Sequence, residues 1–292
     1  MTAGALLGRE AELRGDRIPF VRAIVVAAER PTSAKPGDQA LMLADGTIEG
    51  FVGGSCVESH LRTHGLLALE SATATLLRVS PEPGDDRQGR VNVINSCSSG
   101  GTLEIFLEPV LPTPIVAVHG TSPIAMALLA VGRSLEYQMM GADPARIAEA
   151  DALVVASHGQ GEEEILEAAL THGVPYVALV ASRRRGQEVV ASLRVSPQLA
   201  AQVHTPAGLD IRARGPHEVA VAILAEIISL RPRGQGEAQV VSPALAIDPI
   251  CGMEVAAVAT SLQLDHLGHT YYFCGPGCLK AFSANPPAAD PA

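Results

Sequence analysis

The most chemically suggestive stretch of this 292-residue chain is GFVGGSCVESH, residues 50–60. Gly53 and Gly54 allow backbone conformations and close ligand approaches that a side chain prevents. Ser55 is placed to cap a following helix, whose early N–H groups suit an anion. Cys56 would lie near that positive helix end, where a thiolate is favoured, and Glu58 adds a carboxylate one turn on. The structural alternative is a strand–turn–helix corner around a small buried cysteine.

A second corner of the same kind is NSCSSGG, residues 95–101. It places Cys97 shortly before Gly100 and Gly101. Two corners in one small domain, each joining a cysteine to paired glycines, predict the two sides of a single binding site. A tight turn with a small side chain is the structural alternative for Cys97.

Three of the five cysteines lie near the C-terminus in the pattern C-x22-C-x3-C. Clustered thiolates at turns suit zinc or copper(I), so Cys251, Cys274 and Cys278 are predicted metal ligands. A unit this small has a thin apolar core and needs such help to fold. His266 or His269 is a candidate fourth ligand, and water or the thiol of a client protein are the alternatives.

From Ile115 onward, strand and helix patterns alternate, which predicts a doubly wound parallel sheet. Gly120 follows the first strand, Asp143 the second and His158 the third. Ligands bind outside the carboxyl ends of such strands, so these three residues are candidate binding residues. Asp143 lies at the distance expected for an acid that contacts a ribose.

The nucleotide fingerprint of this region is incomplete. The pattern G-x-G-x-x-G reads here as Gly120, Ser122 and Ala125, so a Rossmann-like domain without a dinucleotide is the favoured interpretation. Ser182 is a predicted helix cap, and the arginines that follow it, residues 183–185, are either a solvated helix face or a phosphate site.

Strands and one helix must position the two cysteine corners. Residues 1–17 are polar and are expected to be loosely ordered. The turn at Asp45-Gly46 predicts a hairpin, and the apolar spacing from Cys56 to Leu69 predicts a helix packed on one face. The predicted strands of this region are residues 20–28, 40–43, 47–51, 73–79, 91–94 and 103–107.

Composition marks the domain boundaries. A Pro-rich connector, residues 109–114, ends the first domain, and a segment rich in Gly, Pro, Gln and Ser precedes the tail. The predicted fold class is α/β, with three parts and a linker: a small α+β N-terminal domain (1–110), a Rossmann-like parallel-sheet middle domain (111–232), a linker (233–246) and a small metal-binding C-terminal module (247–292).

Composition also excludes several classes of function. The net charge is −10, and no domain is basic, which argues against nucleic acid as a partner. No apolar run reaches membrane length, and no signal-peptide pattern opens the chain. Five cysteines, an odd and unevenly spread number, do not suit a secreted disulfide scaffold, so a cytoplasmic protein with reduced thiols is expected.

Taken together, these motifs resemble the XdhC/CoxI family of accessory proteins for molybdenum hydroxylases. The tail from Ile247 to Pro286 resembles a YHS domain, a small metal-binding module. Near residue 210 the family usually has GLDIGA with a threonine soon after, whereas this chain has Arg212 and Gly215. The segments that carry the family resemblance are residues 50–58, 97–101, 151–159, 173–185 and 206–227.

The resemblance implies a function in maturation rather than in turnover of a metabolite. Family members bind the molybdenum cofactor, protect it during sulfuration and hand it to an apoenzyme such as xanthine dehydrogenase or carbon monoxide dehydrogenase. The implied partners are that apoenzyme and a cysteine desulfurase, and a homo-oligomer is expected. Two other hypotheses stay open: a nicotinamide-dependent oxidoreductase that uses the middle domain, and a metal sensor or carrier that acts through the tail.

Overall fold

The computed structural model describes residues 2–84, 89–95, 101–230 and 244–286. The chain divides into two compact units. One unit joins residues 1–112 to residues 233–292, and the other comprises residues 113–232. The C-terminal module therefore belongs to the same unit as the N-terminal domain, which its separation in sequence does not reveal.

The N-terminal domain is built on a six-stranded sheet with the strand order β3-β2-β1-β6-β4-β5. All neighbouring strands pair antiparallel except β4 and β5, which are parallel. The strands are β1 (Phe20–Glu29), β2 (Gln39–Leu43), β3 (Ile48–Gly50), β4 (Thr75–Ser80), β5 (Arg90–Ile94) and β6 (Thr102–Val110). The predicted hairpin at Asp45-Gly46 is the turn between β2 and β3, so that prediction is confirmed.

Helix α2 (Ser55–Ser71) covers one face of this sheet. Strand β1 alternates, so Val21, Ala23 and Val25 are buried in the core beneath the helix. The helix contributes the apolar side chains that its sequence periodicity predicted, and each of them belongs to the same core: Val57, Leu61, Leu66 and Leu69.

The first residues form a helix, α1 (Ala3–Gly15), which corrects the expectation of a loosely ordered N-terminus. Thr2 caps it by accepting a hydrogen bond from the backbone N–H of Ala5. The apolar residues of the helix do not form one clear face, but Leu6 and Leu13 are both buried in a small cluster with Phe20. Tertiary contact with the sheet, rather than strong amphipathicity, therefore explains its order.

The middle domain is a five-stranded sheet in which every neighbouring pair is parallel. Its strand order is β11-β10-β9-β7-β8, which confirms the predicted doubly wound arrangement. The strands are β7 (Ile115–His119), β8 (Gln138–Gly141), β9 (Ala152–Val155), β10 (Tyr176–Leu179) and β11 (Val203–His204).

Helices cover both faces of this parallel sheet, as buried strands require. Helices α3 (Pro123–Ser134) and α7 (Pro216–Leu230) pack on one face, together with Val116 and Val118. Helices α4 (Glu162–Thr171) and α5 (Arg183–Ser192) pack on the other, and two shorter elements complete the domain: a 3₁₀ turn (Ile147–Glu149) and α6 (Pro197–Ala200). Within the described part of the chain, no helix is both long and apolar enough to cross a membrane.

The C-terminal module consists of two antiparallel strand pairs and a helix. The first pair begins at Leu245, inside the predicted linker, whose residues 233–243 lie outside the described residues. The elements are β12 (Leu245–Ile247), β13 (Glu254–Ala256), β14 (Leu262–His266), β15 (His269–Phe273) and α8 (Pro276–Ala284).

This module packs directly on α2 of the N-terminal domain. Strand β13 lies against the helix, and the buried backbone N–H of Ala256 donates a hydrogen bond to Thr63 Oγ1 at 3.1 Å. A second hydrogen bond runs from Thr260 Oγ1 to the carbonyl oxygen of Asp45 at 2.8 Å. Helix α2 is thus covered by the sheet on one side and by the module on another.

Candidate functional site

Two glycines form the turn that leads the chain into α2. Gly53 has a φ of 151°, and a Cβ at this position would lie 2.9 Å from the Cβ of Val57. Gly54 is the N-cap, and no side chain of the described residues caps this helix end. Ser55 is the first helical residue, so the expectation that it caps the helix is wrong by one position. The early N–H groups of α2 therefore receive no hydrogen bond from an N-cap side chain, and a helix start of this kind suits an anion.

A small pocket of about 170 Å³ opens beside this turn. It is smaller than the roughly 300–1,000 Å³ of most ligand pockets, so it fits one end of a larger molecule. Cys56 is half-buried in its wall, whereas Glu58, two residues further along the same helix, is not among the lining residues. The lining residues are Pro31, Thr32, Ser33, Gly54, Ser55, Cys56, Val57, Asn95, Gly101 and Leu103.

The pocket brings part of the second corner to the first. Gly101 lines it immediately before β6, and a Cβ on Gly101 would lie 2.1 Å from the carbonyl oxygen of Pro31. Only glycine permits this approach, so Gly101 lets the second corner lie against the loop at residues 30–33. Cys97 and Gly100 fall outside the described residues, and their assignment to the site stays a prediction.

The loop that contributes Pro31, Thr32 and Ser33 was not predicted as part of the site. Its sequence, RPTSAKPGDQ, indicates only a loop. Two adjacent hydroxyl-bearing residues after a proline were the available signal, but nothing in the sequence relates them to Cys56.

The three tail cysteines converge as their spacing predicts. The Sγ atoms of Cys251 and Cys274 are 3.5 Å apart, and those of Cys274 and Cys278 are 3.7 Å apart. Zinc–sulfur bonds of about 2.3 Å in a tetrahedral site place the sulfurs roughly 3.8 Å from one another, so these spacings fit one metal ion. Asp248 joins the cluster, and the four ligand atoms all lie within 4.8 Å of one another.

The fourth member of the cluster is a carboxylate, that of Asp248, and not one of the two candidate histidines. Among the described residues neither candidate histidine belongs to the cluster: His266 packs edge-on against the Phe282 ring, and His269 is exposed. Asp248 is fully buried, with Oδ2 accepting from the Cys274 backbone N–H at 2.8 Å and Oδ1 from the Ile250 N–H at 2.9 Å. Its position three residues before Cys251 was the signal available in the sequence.

Two thiols and the carboxylate of the cluster have pKa values shifted in opposite directions. A hydrogen bond with Cys56, followed by burial, raises the pKa of the Cys274 thiol far above its ordinary range. Burial raises the pKa of Cys278 to about 12. Burial opposes ionisation of Asp248, but hydrogen bonds from backbone N–H groups and thiols outweigh it and lower its pKa. A metal ion that binds here must displace thiol protons.

In the middle domain, Gly120, Asp143 and His158 lie where expected, after the carboxyl ends of β7, β8 and β9. The strand order reverses between β7 and β9, so Gly120 and His158 flank the switch point. Gly120 has a φ of 109°, and a Cβ there would lie 2.4 Å from the Ala156 carbonyl oxygen. Asp143 accepts a hydrogen bond from the backbone N–H of Ala145, which gives it a local structural role.

The turn that follows β9 is occupied by the side-chain carboxylate of Glu162. Glu162 is buried and accepts hydrogen bonds from Ser157 Oγ at 2.8 Å and from the Gly159 N–H at 2.7 Å. Arg185 forms an ion pair with the same carboxylate, and Arg184 pairs with Glu188. Two of the three arginines considered as phosphate ligands are thus engaged with internal carboxylates.

The fold and the site define a class of protein: an α/β chain with a cysteine–glycine pocket, a Rossmann-like domain and a thiol-rich module. Family models match each of these parts. The model described as the XdhC and CoxI family matches residues 13–80, the XdhC Rossmann domain matches residues 116–227, and the YHS domain matches residues 246–288. The chain is thus similar to the XdhC and CoxI family in its first two domains and to the YHS domain in its C-terminal module.

Two curated relatives resemble the chain, each at 25% identity. The Uncharacterized protein YqeB of Escherichia coli (strain K12) aligns over 257 residues, covering 77% of this chain and 46% of the relative. A probable xanthine dehydrogenase subunit from Bacillus subtilis (strain 168) matches over 179 residues, covering 52% of this chain and 53% of the relative. The chain thus spans about half the length of these relatives.

A solved structure is also similar, the crystal structure of a xanthine dehydrogenase from Bacillus halodurans. It is 17% identical, with a TM-score of 0.38, and the match covers 82% of this chain and 98% of that one.

Proposed function

We propose that this protein is an accessory protein that binds the molybdenum cofactor and delivers it to an apo hydroxylase of the xanthine dehydrogenase or carbon monoxide dehydrogenase type. One observation carries the proposal: the pocket that unites Cys56, the uncapped start of α2 and Gly101. The match to the XdhC and CoxI family model and the name of the Bacillus subtilis relative support the class of client. A cysteine desulfurase is a further proposed partner, and we expect a cytoplasmic homo-oligomer.

When bound, the cofactor supplies a phosphate group and a metal held by a dithiolene. The N–H groups at the start of α2 would bind the phosphate, because a helix N-terminus attracts anions. Cys56 would offer a sulfur ligand at the edge of the same pocket, and the hydroxyls of Thr32 and Ser33 would donate hydrogen bonds. A pocket of about 170 Å³ would enclose only one end of the pterin, which suits a carrier that must release it.

The middle domain favours a carrier over an oxidoreductase. At the turn after β9 the Gly159 N–H already donates to the buried Glu162 carboxylate, which also pairs with Arg185, so neither group is offered to a phosphate. We therefore expect that titration with nicotinamide dinucleotides gives no tight binding. Tight binding of such a dinucleotide would favour the oxidoreductase hypothesis instead.

A metal sensor or carrier that acts through the YHS domain is a second candidate function. The specific observation in its favour is the cluster of Cys251, Cys274 and Cys278 with Asp248. If this alternative holds, the purified protein should contain the metal that it carries, and bound pterin would not be needed for its function.

The decisive experiment is to purify the full chain from cells that make the cofactor. The pterin is measured by its fluorescence after oxidation, and molybdenum and zinc are measured by elemental analysis. We expect pterin and molybdenum together in the wild-type protein, and a loss of at least about tenfold in Cys56→Ala, equivalent to more than 1.4 kcal/mol of binding free energy. Cys97→Ala, and the double variant, test the second corner in the same way.

Cys278→Ala is the matched control, because it removes a thiol outside the pocket. It should lose zinc and keep the pterin. If Cys56→Ala and Cys97→Ala kept full cofactor content, the pocket thiols would be structural and the proposal would fail. Zinc without pterin in the wild-type protein would favour the metal-carrier function.

A further inference from the structure

Cys56 contacts the metal cluster of the YHS domain as well as the pocket. It packs against the cluster formed by Met253, Val255 and Cys274. A Cβ placed on Gly275 would lie 3.6 Å from Cys56 Sγ. Four of the five cysteines of the chain therefore meet where the module packs on the first turn of α2.

The donor set of the module alone leaves one ligand position to be filled. Three sulfurs come from the tail, and a closed thiophilic site has four ligands. Asp248 is close, but each of its carboxylate oxygens already accepts a backbone N–H. Asp248 therefore links the turn that carries Cys251 to the backbone N–H of Cys274. Orienting ligands in this way is typical of an outer-shell carboxylate. Cys56 is the remaining soft donor in contact with the cluster.

We propose that Cys56 is the fourth ligand of a zinc ion bound by Cys251, Cys274 and Cys278, so that the metal fastens the YHS domain over the first cysteine corner. Each thiol that coordinates the ion releases one proton to solvent, and no redox change is involved. The ligand assignment rests on the packing of Cys56 against the cluster. Cys56 Sγ is not among the four ligand atoms that lie within 4.8 Å of one another, so metal binding must draw this thiol toward the three tail sulfurs. The consequence of the assignment, that zinc and cofactor compete for Cys56, rests on the proposed function.

The first test is X-ray absorption spectroscopy of the zinc-loaded full chain. We expect a first shell of four sulfurs in the wild-type protein, against three sulfurs and one oxygen if Asp248 coordinates. This measurement needs no substitution, so it does not depend on how a variant folds. If the first shell of zinc in the wild-type protein contains an oxygen, the proposal is overturned.

The second test is zinc affinity by competition with a chromophoric chelator. Cys56→Ser should weaken zinc binding by more than about 100-fold, whereas Asp248→Asn should cost the roughly 10–100-fold typical of an outer-shell partner. Ser71→Ala, at the opposite end of α2, is the control and should bind zinc as tightly as the wild type. Equal affinity of Cys56→Ser and wild type contradicts the assignment.

The third test is thiol alkylation followed by peptide mass mapping. Bound zinc should slow the alkylation of Cys56 by iodoacetamide at least tenfold, and removal of the zinc with a chelator should restore the faster rate. If zinc protects Cys56 but Cys56→Ala retains the pterin, the ligand assignment stands and the proposed cofactor role fails. If Cys56 is alkylated equally with and without zinc, the ligand assignment itself is wrong.

Discussion

Substitution of Thr63 by valine tests how the YHS domain is held on α2. Thr63 and Ala256 are both buried, and the Ala256 N–H donates to Thr63 Oγ1 at 3.1 Å. Valine has nearly the shape of threonine but no acceptor, so the substitution leaves a buried N–H without its partner. Such a group costs about 1–3 kcal/mol, which corresponds to a factor of about 5–150 in an equilibrium constant. We expect the undocked population of the module to rise by that factor.

Hydrogen exchange read by mass spectrometry on the peptide around Ala256 measures this population. The full chain is used, with zinc chelated so that only protein contacts hold the module. Exchange in Thr63→Val should be about 5–150-fold faster than in the wild type. Thr63→Ser keeps the hydroxyl and should stay close to the wild type. Thr260→Ala removes the exposed hydrogen bond to Asp45 and should have the smaller effect.

Two results would refute this reasoning. Equal exchange in Thr63→Val and the wild type would mean that the hydrogen bond does not hold the module. Equal acceleration in Thr63→Ser, which keeps the hydroxyl, and in Thr63→Val would mean that altered packing at this position, rather than the orphaned N–H, loosens the module.

Two further predictions concern stability. Burial lowers the pKa of His60 and His64 to about 4, with repulsion from His64 adding to the effect on His60. The folded state then binds fewer protons than the unfolded state, so stability is complete above about pH 6.5 and falls toward pH 4, by up to about 3 kcal/mol for each histidine. Chemical denaturation across this range should show the loss, and a His60→Asn/His64→Asn variant should show a flatter profile; an unchanged slope in that variant would contradict it. Separately, Gly50 has a φ of 120° and a Cβ there would lie 2.5 Å from the Gln39 carbonyl oxygen, so Gly50→Ala should destabilise the protein by about 1–3 kcal/mol in a thermal melt. In contrast, Gly8→Ala meets open space and should be neutral or stabilising by about 0.5–1 kcal/mol.

Local patterns in the sequence predicted most of the architecture. The apolar spacing along α2 predicted the residues that face the sheet, because apolar residues repeated at a period near 3.6 lie on one face of a helix, and that face packs on the core. The alternation of strands and helices predicted the parallel sheet, since parallel strands need crossover helices. Arg212 is in the left-handed region with a φ of 61°, at the position where the family usually has glycine. Glycine adopts this conformation without strain, which explains why the family usually has glycine at this position.

Local patterns failed where long-range contacts decide the outcome. Helix α1 is weakly patterned, and its order comes from burial of Leu6 and Leu13 against the sheet. The turn before α2 was predicted, but its cap was misplaced because Ser55 and Gly54 are both acceptable at an N-cap. Asp248 was missed as a member of the cluster because a carboxylate before a turn is common, and only the folded chain shows which N–H groups it meets.

The sequence by itself determined the chemistry available to this protein: the paired glycines, the thiols and their local spacing, and the secondary structure that holds them. Only the tertiary structure decided which of these groups meet. Cys56 and Cys274 are more than 200 residues apart in the chain, and their contact depends on the packing of β13 on α2. Local propensity acts over a few residues, whereas burial of apolar surface acts on whatever the fold brings together. For that reason the pocket and the metal cluster were predicted separately, and their shared cysteine was not.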